Sequence, residues 1–150
     1  MNPTSSSAKV SQLIDCVPDT AFAAFVDPGT LTKFWLDSAS APLSERGSAT
    51  WRFMVPGAED TLTVTEFVRP NHISLTWSDG STLRLQFVEH SAGQTQVTAE
   101  FSIAAGDSVA QIVDTAAGYT FVLCDLKTLL ESGRSANLVR SKAALIACTR

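Results

Sequence analysis

Between positions 48 and 103 the large apolar side chains within each segment keep to one parity. The opposite positions carry mostly Thr, Ser, Arg, Gln and Glu. A period of two predicts strands with one buried face. Trp51, Phe53 and Val55 share a face over 48–55, and Leu62, Val64 and Glu66 share one over 61–67. Ile73, Leu75 and Trp77 form the next face, then Leu83, Leu85 and Phe87, then Val97, Ala99, Phe101 and Ile103. Pro56-Gly57, Arg69-Pro70-Asn71, Asp79-Gly80 and Ala92-Gly93 punctuate these runs. Short turns between successive strands predict an antiparallel meander.

The flanks read differently. Residues 9–16 alternate loosely, with Val10, Ile14 and Cys16 on one side, and predict a first strand. Pro18 suits the first position of a helix and Asp19 its first turn. Ala21, Phe22 and Phe25 make a short apolar face, Asp27-Pro28-Gly29 interrupts it, and Leu31, Phe34 and Trp35 make a second. From Asp107 the period changes. Val109, Ile112, Ala116, Tyr119, Leu123, Leu126 and Leu130 recur at spacings of three and four. Such a helix, closed by Ser132-Gly133, would be about 37 Å long, enough to cross the sheet. The expectation is α+β in two layers: a curved antiparallel sheet wrapped around one long C-terminal helix. Residues 1–8 read as a disordered tail, 9–133 as the domain, and 134–150 as a basic, helical extension.

Composition narrows the class but supplies no chemistry. The chain has 150 residues, 45% hydrophobic and 17% charged, which excludes a disordered chain, a coiled coil and a collagen-like repeat. A net charge of −4 argues against non-specific nucleic-acid binding. No unbroken apolar run reaches the length of a membrane span, so none is expected. Residues 1–7 have no basic n-region and no apolar h-region, so they do not read as a signal peptide. Three cysteines without metal-like spacing suggest reduced thiols and a cytoplasmic protein. Residues 1–132 hold all 15 acids and seven bases, whereas 133–150 hold four bases and no acid. That basic end is either a surface for an acidic partner or a short helix lying on the acidic body.

Several local patterns together resemble the helix-grip fold of the START-like (SRPBCC) superfamily, which includes birch-pollen-allergen-like and polyketide aromatase/cyclase-like proteins. Ile14-Asp15-Cys16-Val17-Pro18 followed by Ala23-Ala24-Phe25-Val26-Asp27-Pro28 resembles its strand, helix and "F-x-D-P" break. Leu31 through Trp35 resembles the "L-x-x-W-W" second helix, with Phe34 in place of the first aromatic, and Leu75-Thr76-Trp77 resembles a strand closing on tryptophan. Gly118-Tyr119-Thr120-Phe121, Leu123, Leu126-Lys127 and Leu130-Glu131 resemble the "G-W-x-x-x-L-x-x-L-K-x-x-L-E" helix of the heat-shock-protein-90 ATPase activator homology branch. The resemblance implies a β-α-α-β6-α order and a cup for apolar ligands. It also implies two alternatives, a chaperone or other protein partner through a stress-response role, or cyclase/hydratase chemistry in the same cup. A homodimer is allowed alongside a monomer.

The cup would lie between the concave sheet and the long helix. Parity assigns Trp51, Phe53, Leu75, Trp77, Leu83, Leu85, Phe87 and Phe101 to its inner face. The helix offers Ile112, Ala116, Tyr119 and Leu123, and Phe34 with Trp35 would close one end. These residues line a ligand pocket or simply fill a core. Glu66 shares parity with Leu62 and Val64 and is expected to face inward unless a bulge turns it out. Glu66 with Tyr119 is the one pair nominated for acid–base work. His72 and His90 fall at strand ends and read as solvated. There is no phosphate loop, metal-ligand spacing or nucleotide fingerprint, so no cofactor is expected.

Overall fold

Proline and aspartate set the helices that follow the first strand. β1 (Ser6–Ile14) leads to α1 (Pro18–Val26), and α2 (Pro28–Phe34) follows at once, each helix opening on a proline. Asp27 serves both, ending α1 and capping α2, where its carboxylate accepts from the Gly29 N–H at 3.3 Å and the Thr30 hydroxyl at 3.0 Å. The computed structural model describes residues 6–104 and 109–148. The expected tail over 1–5 and the helix start at Asp107 lie outside the described residues.

Six more strands follow: β2 (Leu36–Ala39), β3 (Ser48–Phe53), β4 (Glu59–Val68), β5 (His72–Trp77), β6 (Thr82–Ser91) and β7 (Gln94–Ile103). They form one antiparallel sheet with β1, in the order β1-β7-β6-β5-β4-β3-β2. The register stacks the apolar parities across strands. Val64 pairs with Leu75, Leu75 with Leu83, Leu83 with Phe101, and Leu85 with Ala99. All of these are buried.

Three departures from the expected elements have local causes. β1 starts at Ser6 because β7 runs on to Ile103 and offers Ser6, Ser7 and Ala8 a ladder, so residues 6–8 are strand rather than tail. β2 is four residues long and carries a register shift against β3, too short for its alternation to register in the sequence. A bulge between Val64 and Glu66 breaks the parity of β4, so that Glu66 pairs with Ser74 and Phe67 with Ile73. Phe67 then packs edge-on against Phe22, centroids 5.2 Å apart, while Glu66 is exposed.

The long helix α3 (Val109–Ser132) has two halves. Val122, Leu123, Asp125, Leu126 and Leu129 are buried. The amine of Lys127 donates to the Leu13 carbonyl at 2.7 Å, and the Asp15 N–H donates to Glu131 at 2.8 Å, fixing this half along β1. Before Val122 no residue of α3 is fully buried, and Val109 and Val113 are exposed by 78% and 58%. The expected stripe therefore packs only in part: Ala116 and Tyr119 lie partly buried against the core, while Val109 at its start is exposed. By length and hydropathy alone α3 could cross a membrane. Asp125, Lys127 and Glu131 instead tie its second half to β1 and to the next loop, which makes it the helix the sheet grips. Gly133, at φ +82°, closes α3 with its N–H on Leu129 O at 2.8 Å.

The last helix, α4 (Leu138–Cys148), is set by a buried carboxylate. Asp125 accepts from the Ser135 hydroxyl at 2.6 Å, the Ala136 N–H at 2.8 Å and the Thr128 hydroxyl at 3.0 Å. Val139 and Ala143 then pack inward.

Candidate functional site

The concave face is filled at one end and open at the other. At the filled end Phe22, Phe25, Phe34, Leu85, Phe87 and Leu126 are buried to within a few per cent. From there a chain of ring contacts leads outward. Phe25 meets Trp35, Trp35 meets Trp51 at 4.9 Å, Trp51 meets Trp77 at 5.7 Å, and Trp77 meets Phe53 at 6.0 Å. Trp35 also meets Tyr119, which lies 5.3 Å from Phe101. The contacts along Phe25, Trp35, Trp51 and Trp77 and that of Trp35 with Tyr119 are edge-on, an arrangement favourable for ring pairs, while Trp77–Phe53 and Tyr119–Phe101 are tilted. Trp51 is fully buried among them, and its indole N–H meets no hydrogen-bond acceptor.

The ring chain ends at an open cleft of about 620 Å³. Its apolar walls are Trp35, Phe53, Trp77, Phe101, Tyr119, Phe121 and Val122, with Met54, Val55 and Ile103 at the edges. From α3 the cleft receives Gln111, Asp114, Thr115 and Gly118, a face of small and polar residues at helical spacing. A Cβ added at Gly118 would meet nothing within 4 Å. α4 closes one side with Val139, Lys142, Ala143 and Ile146. The cleft opens where α3 presents small and polar residues at 111, 114, 115 and 118, while Tyr119, Phe121 and Val122 of the same helix form its inner wall.

The polar groups sit at the ends and rim. The indole N–H of Trp77 donates toward the Tyr119 hydroxyl, and Asp79 lies close enough to act on that hydroxyl. Burial pushes the Tyr119 pKa up, the Trp77 donor opposes this, and the Asp79 charge adds to it. The hydroxyl therefore stays protonated across the physiological range and can donate. Asp60, Asp79 and Asp114 supply carboxylates to the rim, and Lys142 holds its ammonium 6.0 Å from the Phe121 ring centre. Among the described residues no three His, Cys, Asp or Glu side chains converge as a metal set would require.

Of the residues expected to line a cavity, Trp35, Phe53, Trp77, Phe101 and Tyr119 lie on these walls. Phe34, Trp51, Leu75, Leu85, Phe87 and Leu123 are instead packed core. Ile112 and Ala116 lie off the cleft because α3 is turned to present 111, 114, 115 and 118. Glu66 is corrected outright. The β4 bulge sets it on the convex face, where it accepts from Arg84 at 2.7 Å and from the Ser74 hydroxyl at 2.9 Å, with His72 at 3.5 Å. It cannot pair with Tyr119. Asp60, Asp79, Asp114 and Gly118 were not among the residues expected to line the site, Asp79 being read as a turn and Gly118 only as part of the helix pattern. Their signal was a wet helix face and two strand-end acids, which also describes ordinary solvated positions.

The basic C-terminal segment is engaged within the chain. Ser135 and Ala136 bind Asp125, Ala143 is buried, and Lys142 lies over Phe121.

A seven-stranded antiparallel sheet closed on a C-terminal helix, with two helices after the first strand, is the helix-grip fold. Comparison with known proteins then gives the family. The model of the Activator of Hsp90 ATPase homolog 1-like proteins matches residues 15–131, and the chain belongs to that family. No curated protein sequence matches the chain. Among solved structures, protein SSP2350 from Staphylococcus saprophyticus is similar over 87% of this chain and 95% of its own, with 28% identity and a TM-score of 0.78. DynU16, a putative protein of the dynemicin biosynthetic locus, matches over 86% of this chain and 48% of its own, with 18% identity and a TM-score of 0.78. Aha1 from Colwellia psychrerythraea, solved as a dimer in solution, matches over 87% and 99%, with 16% identity and a TM-score of 0.74. The last two likenesses are of fold alone.

Proposed function

We propose that this protein binds an apolar, ring-bearing small molecule in the cleft between the sheet and the first half of α3. The observation that carries this reading is the open end of the ring chain. Trp35, Phe53, Trp77, Phe101 and Tyr119 present aromatic surface to a space of about 620 Å³, within the size range of small-molecule sites. A few polar groups, Trp77 N–H and the Tyr119 hydroxyl above all, would orient the ligand. The partner-protein alternative that the family name invites rested on the basic tail, and the contacts of that tail within the chain favour the ligand reading.

The test is titration with N-phenyl-1-naphthylamine, a lipophilic probe that brightens in apolar surroundings. Wild type should show saturable binding, with a Kd on the order of 10–100 μM for a ligand of that size. Gly118→Leu fills the cleft from a position where the added atoms have room, so it should abolish binding without lowering the melting temperature. Absence of saturable binding to wild type, or equal binding by a folded Gly118→Leu, would sink the proposal.

A further inference from the structure

The charge at the rim does not match the apolarity of the walls. Asp60, Asp79 and Asp114 border the cleft, against one cation, Lys142. Among the described residues none of the three carboxylates forms an ion pair, whereas Arg52, Arg69, Arg84 and Lys127 are all paired elsewhere. Asp60 uses one oxygen on the Thr61 N–H at 2.8 Å, and Asp79 uses one on the Ser81 N–H at 2.8 Å, bonds that fix each side chain at its place. Carboxylates alone would be a solvated edge. Here they edge a cavity whose walls are ring faces, and ring faces attract cations. The chain itself seats an ammonium on this wall, Lys142 over Phe121.

We propose that the ligand is an apolar molecule carrying a protonated amine, its body on the Trp35–Trp77–Tyr119 rings and its ammonium at the rim that Asp60, Asp79 and Asp114 border. This rests on the reading of the cleft as a ligand site. An anionic ligand such as a fatty acid would meet three negative charges for one positive. A neutral hydrocarbon would leave the carboxylates without use. Lys142, over Phe121, is the one positive charge on the cleft, and it opposes a second cation there.

Three probes of one shape separate the outcomes: 1-naphthylmethylamine, 1-naphthalenemethanol and 1-naphthoate, each displacing N-phenyl-1-naphthylamine at pH 7. The amine should bind about 10-fold tighter than the alcohol, and the acid weaker than both, with the gap shrinking in high salt. Asp60→Asn with Asp79→Asn should bring amine and alcohol within about 2-fold of each other by weakening the amine. Lys142→Met should widen the gap. Equal binding of amine and alcohol, or preference for the acid, would overturn the amine proposal and leave the cleft standing. So would failure of all three to displace a probe that binds. Failure of N-phenyl-1-naphthylamine itself to bind would remove both.

Discussion

The two halves of α3 face the same sheet and do opposite things. From Val122 onward the helix drives Leu123, Leu126 and Leu129 against strands whose inner residues are almost wholly buried. Before Val122 it sets Gln111, Asp114, Thr115 and Gly118 around only two large rings, Tyr119 and Phe121, opposite strands that carry equally large rings. The sheet does not distinguish the two ends, since its parity runs unbroken on the inner face of β5, β6 and β7. The difference lies in the helix. A core forms where both layers bring bulk at every turn, and a cleft opens where small and polar positions interrupt the helix's rings.

The largest expected effect tests the filled half. Leu126 is fully buried, so Leu126→Ala should cost about 2–5 kcal/mol and lower the melting temperature by roughly 5–15 °C. A loss this large, beside the near-neutral Gly118→Leu in the open half, would confirm that packing is concentrated after residue 121. If Leu126→Ala melted like wild type, the contrast between the halves would collapse.

Asp125 joins the two regions and should show an intermediate effect. Asp125→Ala leaves the Ser135 hydroxyl without its acceptor and the Ala136 N–H with only Thr128 Oγ1 at 3.1 Å, a cost of about 1–3 kcal/mol. It also frees α4, which walls the cleft. Trypsin should then cut faster at Arg134 and Arg140, and the naphthylamine probe should bind more weakly. Unchanged proteolysis would mean that Val139 and Ala143 hold α4 without the carboxylate.

How much of this was legible in the sequence follows the same division. Strand parity, the turns and the Asp27-Pro28 break are local patterns, and the elements they predict form within a few residues of where the patterns fall. The filled half of α3 was legible through Leu123 and Leu126, because burial there is apolar and periodic. Asp125 was not, since a carboxylate between leucines reads as surface until Ser135 and Ala136 are brought beside it. The cleft face was not legible either. A polar stripe at 111, 114, 115 and 118 has the same pattern whether it borders solvent or a cavity. Only the curvature of the sheet beyond it decides, and periodicity does not encode curvature.

Glu66 gives the smallest effect and the sharpest check on parity. Counted from Leu62 and Val64 it belongs inside, and an inward carboxylate near Tyr119 would be the natural acid–base partner in an enzymatic cup. The bulge after Val64 moves it to the convex face, onto Arg84, Ser74 and His72. There it is 48% exposed, in a pairing that water and salt screen. Glu66→Gln keeps an oxygen to accept from Arg84, so stability should change by under about 1 kcal/mol, and less at high ionic strength. Binding of the naphthyl probes should not change at all, because the whole sheet lies between residue 66 and the cleft. A Glu66→Gln protein that lost probe binding while its melting temperature held would put the carboxylate back inside, return β4 to unbroken alternation, and restore the acid–base pair that the bulge removes.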